Sequence, residues 1–259
     1  MRIDINCDMG ESFGVYSIGE DARIMPYLSS ANIACGCHAG DPMVMAKTVE
    51  LAKTHGVAVG AHPGYPDLIG FGRRNLETFP GEIKQFVLYQ IGAISAFARA
   101  AGVELQHVKP HGALYNHAAK NEQAAAEIIA AVKLFDPDLV LYALAGSLFA
   151  EMARQSGLEV AREAFPDRAY TKEGRLAPRS LEGAVIHDPA KVRERLLKMV
   201  STGKLVSIEG EEISLEADTL CVHGDTPDAW ALAKEIRESL EGAGIRVAAP
   251  GRKAETKQG

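Results

Sequence analysis

Residues 30–62, SANIACGCHAGDPMVMAKTVELAKTHGVAVGAH, decide the fold class. They open on a short strand-like run, Ser30–Cys35, and close on another, Val57–Ala61. Between the two, Val44, Val49, Leu51 and Ala52 can share one face of a helix. The punctuation agrees with this reading. Asp41 is suited to cap the helix, Pro42 takes the first helical position, where a missing N–H costs nothing, and Gly56 stands where a left-handed C-cap is wanted. Strand, helix and strand in direct succession form a βαβ unit, whose strands pair in parallel.

The same alternation extends along the chain. Ile3 and Ile5 alternate with polar neighbours in a strand over Arg2–Cys7, and further strands are expected over Gln106–Lys109, Leu139–Ala143, Glu159–Glu163 and Thr219–Val222. Lys204–Glu209 is a weaker candidate that reads as a side hairpin. Helices are expected over 81–101, 121–134, 147–156 and 228–243, and the cap-plus-proline device recurs at Asp188-Pro189 and Thr226-Pro227. Neither an internal repeat nor a proline-rich linker divides the chain, so one domain over 1–250 is expected, followed by a polar, frayed tail over 251–259. Phe165–Arg179 is longer and more polar than an ordinary connection and reads as a functional loop.

An open doubly wound sheet and a closed barrel both fit these elements, and the polar residues choose between them. Asn6, Asp8 and Glu11 follow the first strand, His38 and Asp41 the second, and His62 and Asp67 the third. Lys109, His111 and Asn116 follow the fourth, Glu163, Asp167 and Arg168 a later one, and His223 and Asp225 the last. An open sheet gathers its chemistry at one switch point, whereas a barrel brings every strand end to one pocket. The expected fold is therefore α/β, an irregular TIM-like barrel of seven or eight mostly parallel strands.

Composition narrows the function. With 47% hydrophobic and 24% charged residues among 259, the chain can build a continuous core. A net charge of -6 and a pI near 5.8 argue against a nucleic-acid partner, because phosphate binding needs clustered Lys and Arg. No signal-peptide pattern and no apolar run of membrane-spanning length is read, so a cytoplasmic protein is expected. Cys7, Cys35, Cys37 and Cys221 lack zinc-type spacing and read as reduced, buried side chains, with a reactive thiol beside Gly36 as the alternative.

Amide hydrolysis needs a group to activate water and donors to hold the developing oxyanion. Asp8, His38, His62, Lys109, His111 and Asp225 offer that set. His38 and His62 with Asp8 could instead hold a divalent metal, although no tight ligand motif is present. Gly70-Phe-Gly-Arg73-Arg74 reads either as a surface loop or as an anion clamp. Neither a phosphate-loop motif nor a dinucleotide fingerprint occurs, so nothing here predicts nucleotide binding by a standard phosphate loop.

Taken in order, Asp4-Ile-Asn-Cys-Asp8-Met-Gly-Glu11, Ala31-Asn-Ile-Ala-Cys-Gly-Cys-His38-Ala-Gly-Asp41-Pro42 and Gly60-Ala-His62-Pro-Gly-Tyr-Pro-Asp67 resemble the LamB/YcsF family. The match continues through Gly70–Arg74, Val108-Lys-Pro-His111-Gly-Ala-Leu-Tyr-Asn116, Glu163-Ala-Phe-Pro-Asp167-Arg168 and Cys221-Val-His-Gly-Asp225-Thr-Pro227. Pro166, where a small residue is expected, is a minor departure. The resemblance implies a β/α barrel akin to those of glycoside hydrolases and deacetylases. It implies ATP-dependent opening of 5-oxo-L-proline to L-glutamate by the first subunit of a 5-oxoprolinase working with subunits B and C.

On that footing, Asp8, Lys109, His111 and Asp225 are the expected catalytic residues. Asn6, Glu11, Arg73, Arg74 and Asn116 are expected to contact substrate, as are Asp167, Arg168, Arg179 and His223. ATP is expected as a co-substrate met by the partner subunits, with a divalent metal as a further candidate. The competing readings are a stand-alone metal-dependent deacetylase or amidase, which would need no ATP, and a non-catalytic subunit that only binds the lactam.

Overall fold

A computed structural model describes residues 1–178, 180–186, 188–222 and 229–251. Seven parallel strands close a barrel: β1 (Arg2–Met9), β2 (Ser30–Ala34), β3 (Ala58–His62), β4 (Leu105–Val108), β5 (Val140–Leu144), β6 (Glu159–Ala164) and β9 (Thr219–Val222). Closure comes from β1 pairing with β9 in the register Asp4↔Thr219 to Cys7↔Val222, while β6 pairs with β9 on its other edge. The open-sheet alternative is thereby excluded. Strands β7 (Lys204–Val206) and β8 (Glu212–Ser214) form the separate antiparallel hairpin expected near Lys204. A two-residue strand, β10 (Arg246–Val247), adds in parallel to the start of β1.

Helices α2 (Pro42–His55), α3 (Glu82–Ala101), α5 (Glu122–Phe135), α6 (Leu148–Gln155), α7 (Pro189–Thr202) and α8 (Ala229–Gly242) pack outside the strands. Two short helices, α1 (Asp21–Ile24) and α4 (Gly112–Ala118), lacked the length to show periodicity in the sequence. The Asp41 carboxylate accepts from the N–H groups of Met43 and Val44 at 2.8 and 2.9 Å, and Gly56 ends α2 at φ 65°. The face that α2 buries is Met45, Thr48, Val49 and Ala52, a stripe rotated from the expected one and leaving Val44 and Leu51 at its margins. Asp188 caps α7 by accepting from Ala190, as expected, whereas Thr226-Pro227 lies outside the described residues.

The alternation on β1 runs opposite to that of a half-exposed strand. Ile3, Ile5, Cys7 and Met9 face outward into the apolar layer under the helices. Asp4, Asn6 and Asp8 point into the barrel, since residues two apart share a face. The lumen is consequently polar. Asp4 accepts from Ser30 at 2.8 Å and from Tyr142 across the barrel at 3.0 Å, and Asn32 donates to Asn6 at 2.7 Å. Burying such groups costs several kcal/mol each unless they are hydrogen-bonded, and this column is knitted together from β1 to β9. Burial raises the Asp4 carboxyl above its ordinary value despite those donors.

Glycine makes room for the column. A Cβ on Gly60 would lie 2.1 Å from His107 Nε2, so only glycine admits the imidazole that stacks on Tyr142 at 4.2 Å. Outside the barrel, Gln90 of α3 grips the loop after β3: its amide accepts from Gly64 N at 2.9 Å and donates to Gly64 O at 2.8 Å. That clamp fixes the segment leaving His62.

Candidate active site

The C-terminal ends of the strands surround a cavity of about 320 Å³, near the lower end of the ~300–1,000 Å³ range for small-ligand sites. Its lining includes Asp8, His62, Lys109, His111, Asn116, Arg73 and Arg168. Six of the seven arise from the strand ends or following loops of β1, β3, β4 and β6, and Asn116 comes from α4. The cavity thus lies at the end of the barrel where the sequence places its polar residues.

Lys109 is the electrostatic centre. Its Nζ lies 2.9 Å from Asp8 Oδ1 and 2.9 Å from Glu163 Oε1, with Asn6 Oδ1 at 3.1 Å and Cys221 Sγ at 3.0 Å. Burial alone would lower the ammonium pKa, but Asp8, followed by Cys221 and Glu163, carries it well above the ordinary lysine value. Burial would likewise raise the Asp8 carboxyl. His62 and Lys109 outweigh it and hold that group well below the usual carboxylate range. The pair is therefore a fixed ammonium and a fixed carboxylate. Asp8 retains 18% side-chain exposure toward the cavity, whereas Lys109 has only 4%.

Glu163, Tyr115 and Cys221 complete this centre and were not chosen among the candidates. The Tyr115 hydroxyl donates to Glu163 Oε2 at 2.6 Å, and burial pushes its pKa well up. Glu163 carried a signal, its place at the end of β6. Tyr115 and Cys221 carried only aromatic and thiol identity, which usually means core. Burial raises the Cys221 thiol well above its ordinary value and pushes Cys35 up to about 12, so the expectation of unreactive thiols fits both.

Beside this pair lies a second group. Glu11, His38, His62 and His111 bring one ligand atom each to within 4.8 Å of one another, all from buried residues. The expected metal set of His38 and His62 with Asp8 is thus enlarged by Glu11 and His111. Asp8 stands at its edge, with Oδ2 3.3 Å from His62 Nε2. A Cβ on Gly72 would come within 2.8 Å of both His38 and His111, which explains the glycine at φ 62° in that loop.

The remaining candidates separate. Asn6 is fully buried beneath the pocket, donating to Glu163 and Thr219, and so braces the site from within the lumen. Arg73 lines the cavity with its guanidinium 5.0 Å from the Phe71 ring, while Arg74 is engaged with the Asp67 carboxylate, donating from Nε at 3.0 Å. Arg168 lines the cavity and also donates to the carbonyls of Ala177 and Ala184, binding the 165–186 segment to the site. Asp167 is not part of the lining; its backbone carbonyl accepts from Ile186. Arg179, His223 and Asp225 lie outside the described residues.

This barrel closely matches a solved structure described as the lactam utilization protein of Thermus thermophilus, at a TM-score of 0.93 and 52% identity, covering 96% of this chain and all of that one. A protein of Syntrophobacter fumaroxidans, named as the first (A) subunit of 5-oxoprolinase, is 67% identical over 251 residues, 97% of this chain and 99% of its own. One of the same name from Heliobacterium modesticaldum is 59% identical over 96% of this chain and 98% of its own. The model of the LamB/YcsF family matches residues 3–255, and the chain belongs to that family.

Proposed function

We propose that this chain is the lactam-opening subunit of an ATP-coupled 5-oxoprolinase. It hydrolyses 5-oxo-L-proline to L-glutamate, with ATP going to ADP and phosphate, in company with subunits B and C. The names of relatives at 52–67% identity support the substrate, and the Asp8–Lys109 pair at the cavity wall carries the chemistry. A lactam is a stable amide, so activation is needed, and phosphorylation of its oxygen by ATP supplies a better leaving group. This chain has no phosphate-loop motif, so ATP is met by the partner subunits. A reaction on a free amino-acid lactam with ATP suits the cytoplasm.

In this reading Asp8 accepts a proton from water as the oxygen adds to the activated ring carbon. The C–N bond then breaks and the nitrogen takes up a proton, leaving a γ-glutamyl phosphate that a second water hydrolyses to glutamate and phosphate. Asp8 is a weak base because Lys109 and His62 stabilise its ionised form, and the activated carbon is electrophilic enough for a weak base to serve. Lys109 opposes the negative charge that builds on the oxygen, and Arg73 or Arg168 holds the substrate carboxylate. Asp225 is the alternative base.

The test is reconstitution of the purified chain with and without its partner subunits, following ADP and glutamate together. Equal, coupled formation only in the complete mixture is expected. Lactam opening by the chain alone without ATP would replace this reading with that of a stand-alone amidase. Tight lactam binding with turnover unaffected by Asp8→Asn and by Asp225→Asn would replace it with that of a carrier.

A further inference from the structure

Two backbone carbonyls fix the protons of two histidines. His62 Nδ1 lies 2.7 Å from the Lys109 carbonyl oxygen, and His111 Nε2 lies 2.8 Å from that of Phe71. A carbonyl oxygen only accepts, so those are the protonated nitrogens. When each ring holds only that proton, as a bound cation would require, His62 Nε2 and His111 Nδ1 present lone pairs to one another 3.0 Å apart. Asp8 Oδ2 stands 3.3 Å from the first, and Glu11 Oε1 stands 3.4 Å from the second. Lys109 balances Asp8 from its other oxygen, but lone pairs and the Glu11 carboxylate directed into one buried space repel one another unless a cation or a shared proton lies among them.

A proton could bridge only two of these atoms. It would leave His38, fully buried, with no hydrogen-bond partner on either ring nitrogen, although its Nε2 is 3.4 Å from Glu11 Oε1. We propose that Glu11, His38, His62 and His111 bind one divalent transition-metal ion of the zinc class. Bonds of ~2.0–2.1 Å in a tetrahedral site place ligand atoms roughly 3.3 Å apart; three of the six separations, 3.0, 3.4 and 3.4 Å, match that edge, and the whole set lies within 4.8 Å. Three imidazoles with one carboxylate suit zinc, cobalt or nickel better than magnesium or calcium, which take oxygen donors.

The surroundings are built for the same end. Metal-bound histidines usually donate their other N–H to a carbonyl or carboxylate, as His62 and His111 already do. Phe71, whose carbonyl fixes His111, sits at φ 55°, the one non-glycine residue with positive φ among the described residues. That backbone costs about 1–3 kcal/mol and is maintained where it orients a ligand. His38 stacks on His111 with centroids 3.7 Å apart and planes within 5°, so a bound ion must tilt His38 out of the stack to converge the lone pairs. Such an ion would supply a Lewis acid beside Asp8.

The test uses the chain alone, without partners, ATP or lactam, so its failure would leave the lactam-opening reading intact. Chain stripped with a chelator is titrated with Co²⁺, followed by visible absorption, then displaced with Zn²⁺, and its metal content is measured. One ion per chain is expected, with the d–d bands of a low-coordinate site. Glu11→Gln, which keeps the side-chain shape, and His38→Ala should each weaken binding by more than the ~10–100-fold that losing an outer-shell partner costs. His117→Ala, at a histidine that meets Tyr65 outside the cluster, should not. If His38→Ala fails to fold, Glu11→Gln decides alone. A folded chain that takes up no stoichiometric ion, or a Co²⁺ spectrum unchanged in Glu11→Gln, overturns the assignment.

Discussion

Lys109 Nζ bridges the Asp8 and Glu163 carboxylates, 2.9 Å from an oxygen of each, with almost no exposure of its own. Such a triad is poor at stabilising a fold relative to apolar packing, yet breaking it is costly because the survivors remain buried and charged. Lys109→Met should therefore lower stability by about 3–5 kcal/mol, measured by denaturant titration. In the reconstituted enzyme it should also cut kcat by at least ~10²–10³, the usual cost of losing one donor to a developing oxyanion. A variant as stable as the parent would show that the triad is not formed in solution.

Asp8→Asn separates the roles of the same pair. Asparagine can keep an oxygen toward Lys109 and Asn32, whose contacts with Asp8 Oδ1 are both 2.9 Å, so the fold should survive. The proton acceptor is gone. We expect kcat of the complex to fall ~10²–10⁴-fold with KM changed little, which is the signature of a group acting in the transition state. A rise in KM at unchanged kcat would instead make Asp8 a binding residue.

Arg73 and Arg74 are adjacent in sequence and differ in employment. Arg74 is paired with Asp67, which it holds below the usual carboxylate range, while Arg73 faces the cavity. Arg73→Ala should raise KM for the lactam by roughly 10-fold or more, the scale of one charge-assisted hydrogen bond of ~1.5–3 kcal/mol. Arg74→Ala should act chiefly through the loop. Steady-state kinetics that show the reverse order would move the carboxylate site away from Arg73.

Gly60 is a position where the lumen depends on one missing atom. The His107 ring that a Cβ would strike cannot retreat, being bonded to Asn32 at 2.8 Å and stacked on Tyr142. Gly60→Ala should cost about 3 kcal/mol, the upper range for overpacking, and at ~2–4 °C per kcal/mol lower Tm by roughly 6–12 °C. An unchanged melting curve would contradict the packing around His107.

Much of this was legible in the chain. The βαβ unit read over 30–62, the Asp41 cap and the seven strands all follow from local chemistry, and the strand-end positions of Asp8, His62 and Lys109 pointed to the pocket. What was not legible is the direction of a side chain within a closed barrel. On β1 the pattern Ile3, Asp4, Ile5, Asn6 is compatible with polar residues facing water or facing a lumen, and only closure against β9 decides for the lumen. For the same reason Asn6 read as a substrate contact though it lies beneath the floor. The grouping of Glu11 with His38 and His111 depends on three loops meeting, which no spacing within one segment encodes.

The buried imidazoles give the last prediction its sign. Burial holds His107 and His111 down to about 3 and lowers His38 well below its ordinary value, so all three are neutral in the fold. In the unfolded chain each would titrate near ~6.5. Between pH ~6.5 and about 3 the unfolded state therefore binds more protons, and stability falls as pH falls, by roughly 1.4 kcal/mol per pH unit for each imidazole in the steep part of that window. Asp4, raised by burial, opposes this between its raised value in the fold and the unfolded aspartate value near ~4, where the folded chain holds the extra proton. Urea titrations from about pH 7 to 4.5, with chelator present so that no ion competes with protons, should show a slope of roughly two to three protons per chain. Stability that stayed level across that range would mean that His38, His107 and His111 take up protons in the fold as readily as in the unfolded chain, against their burial.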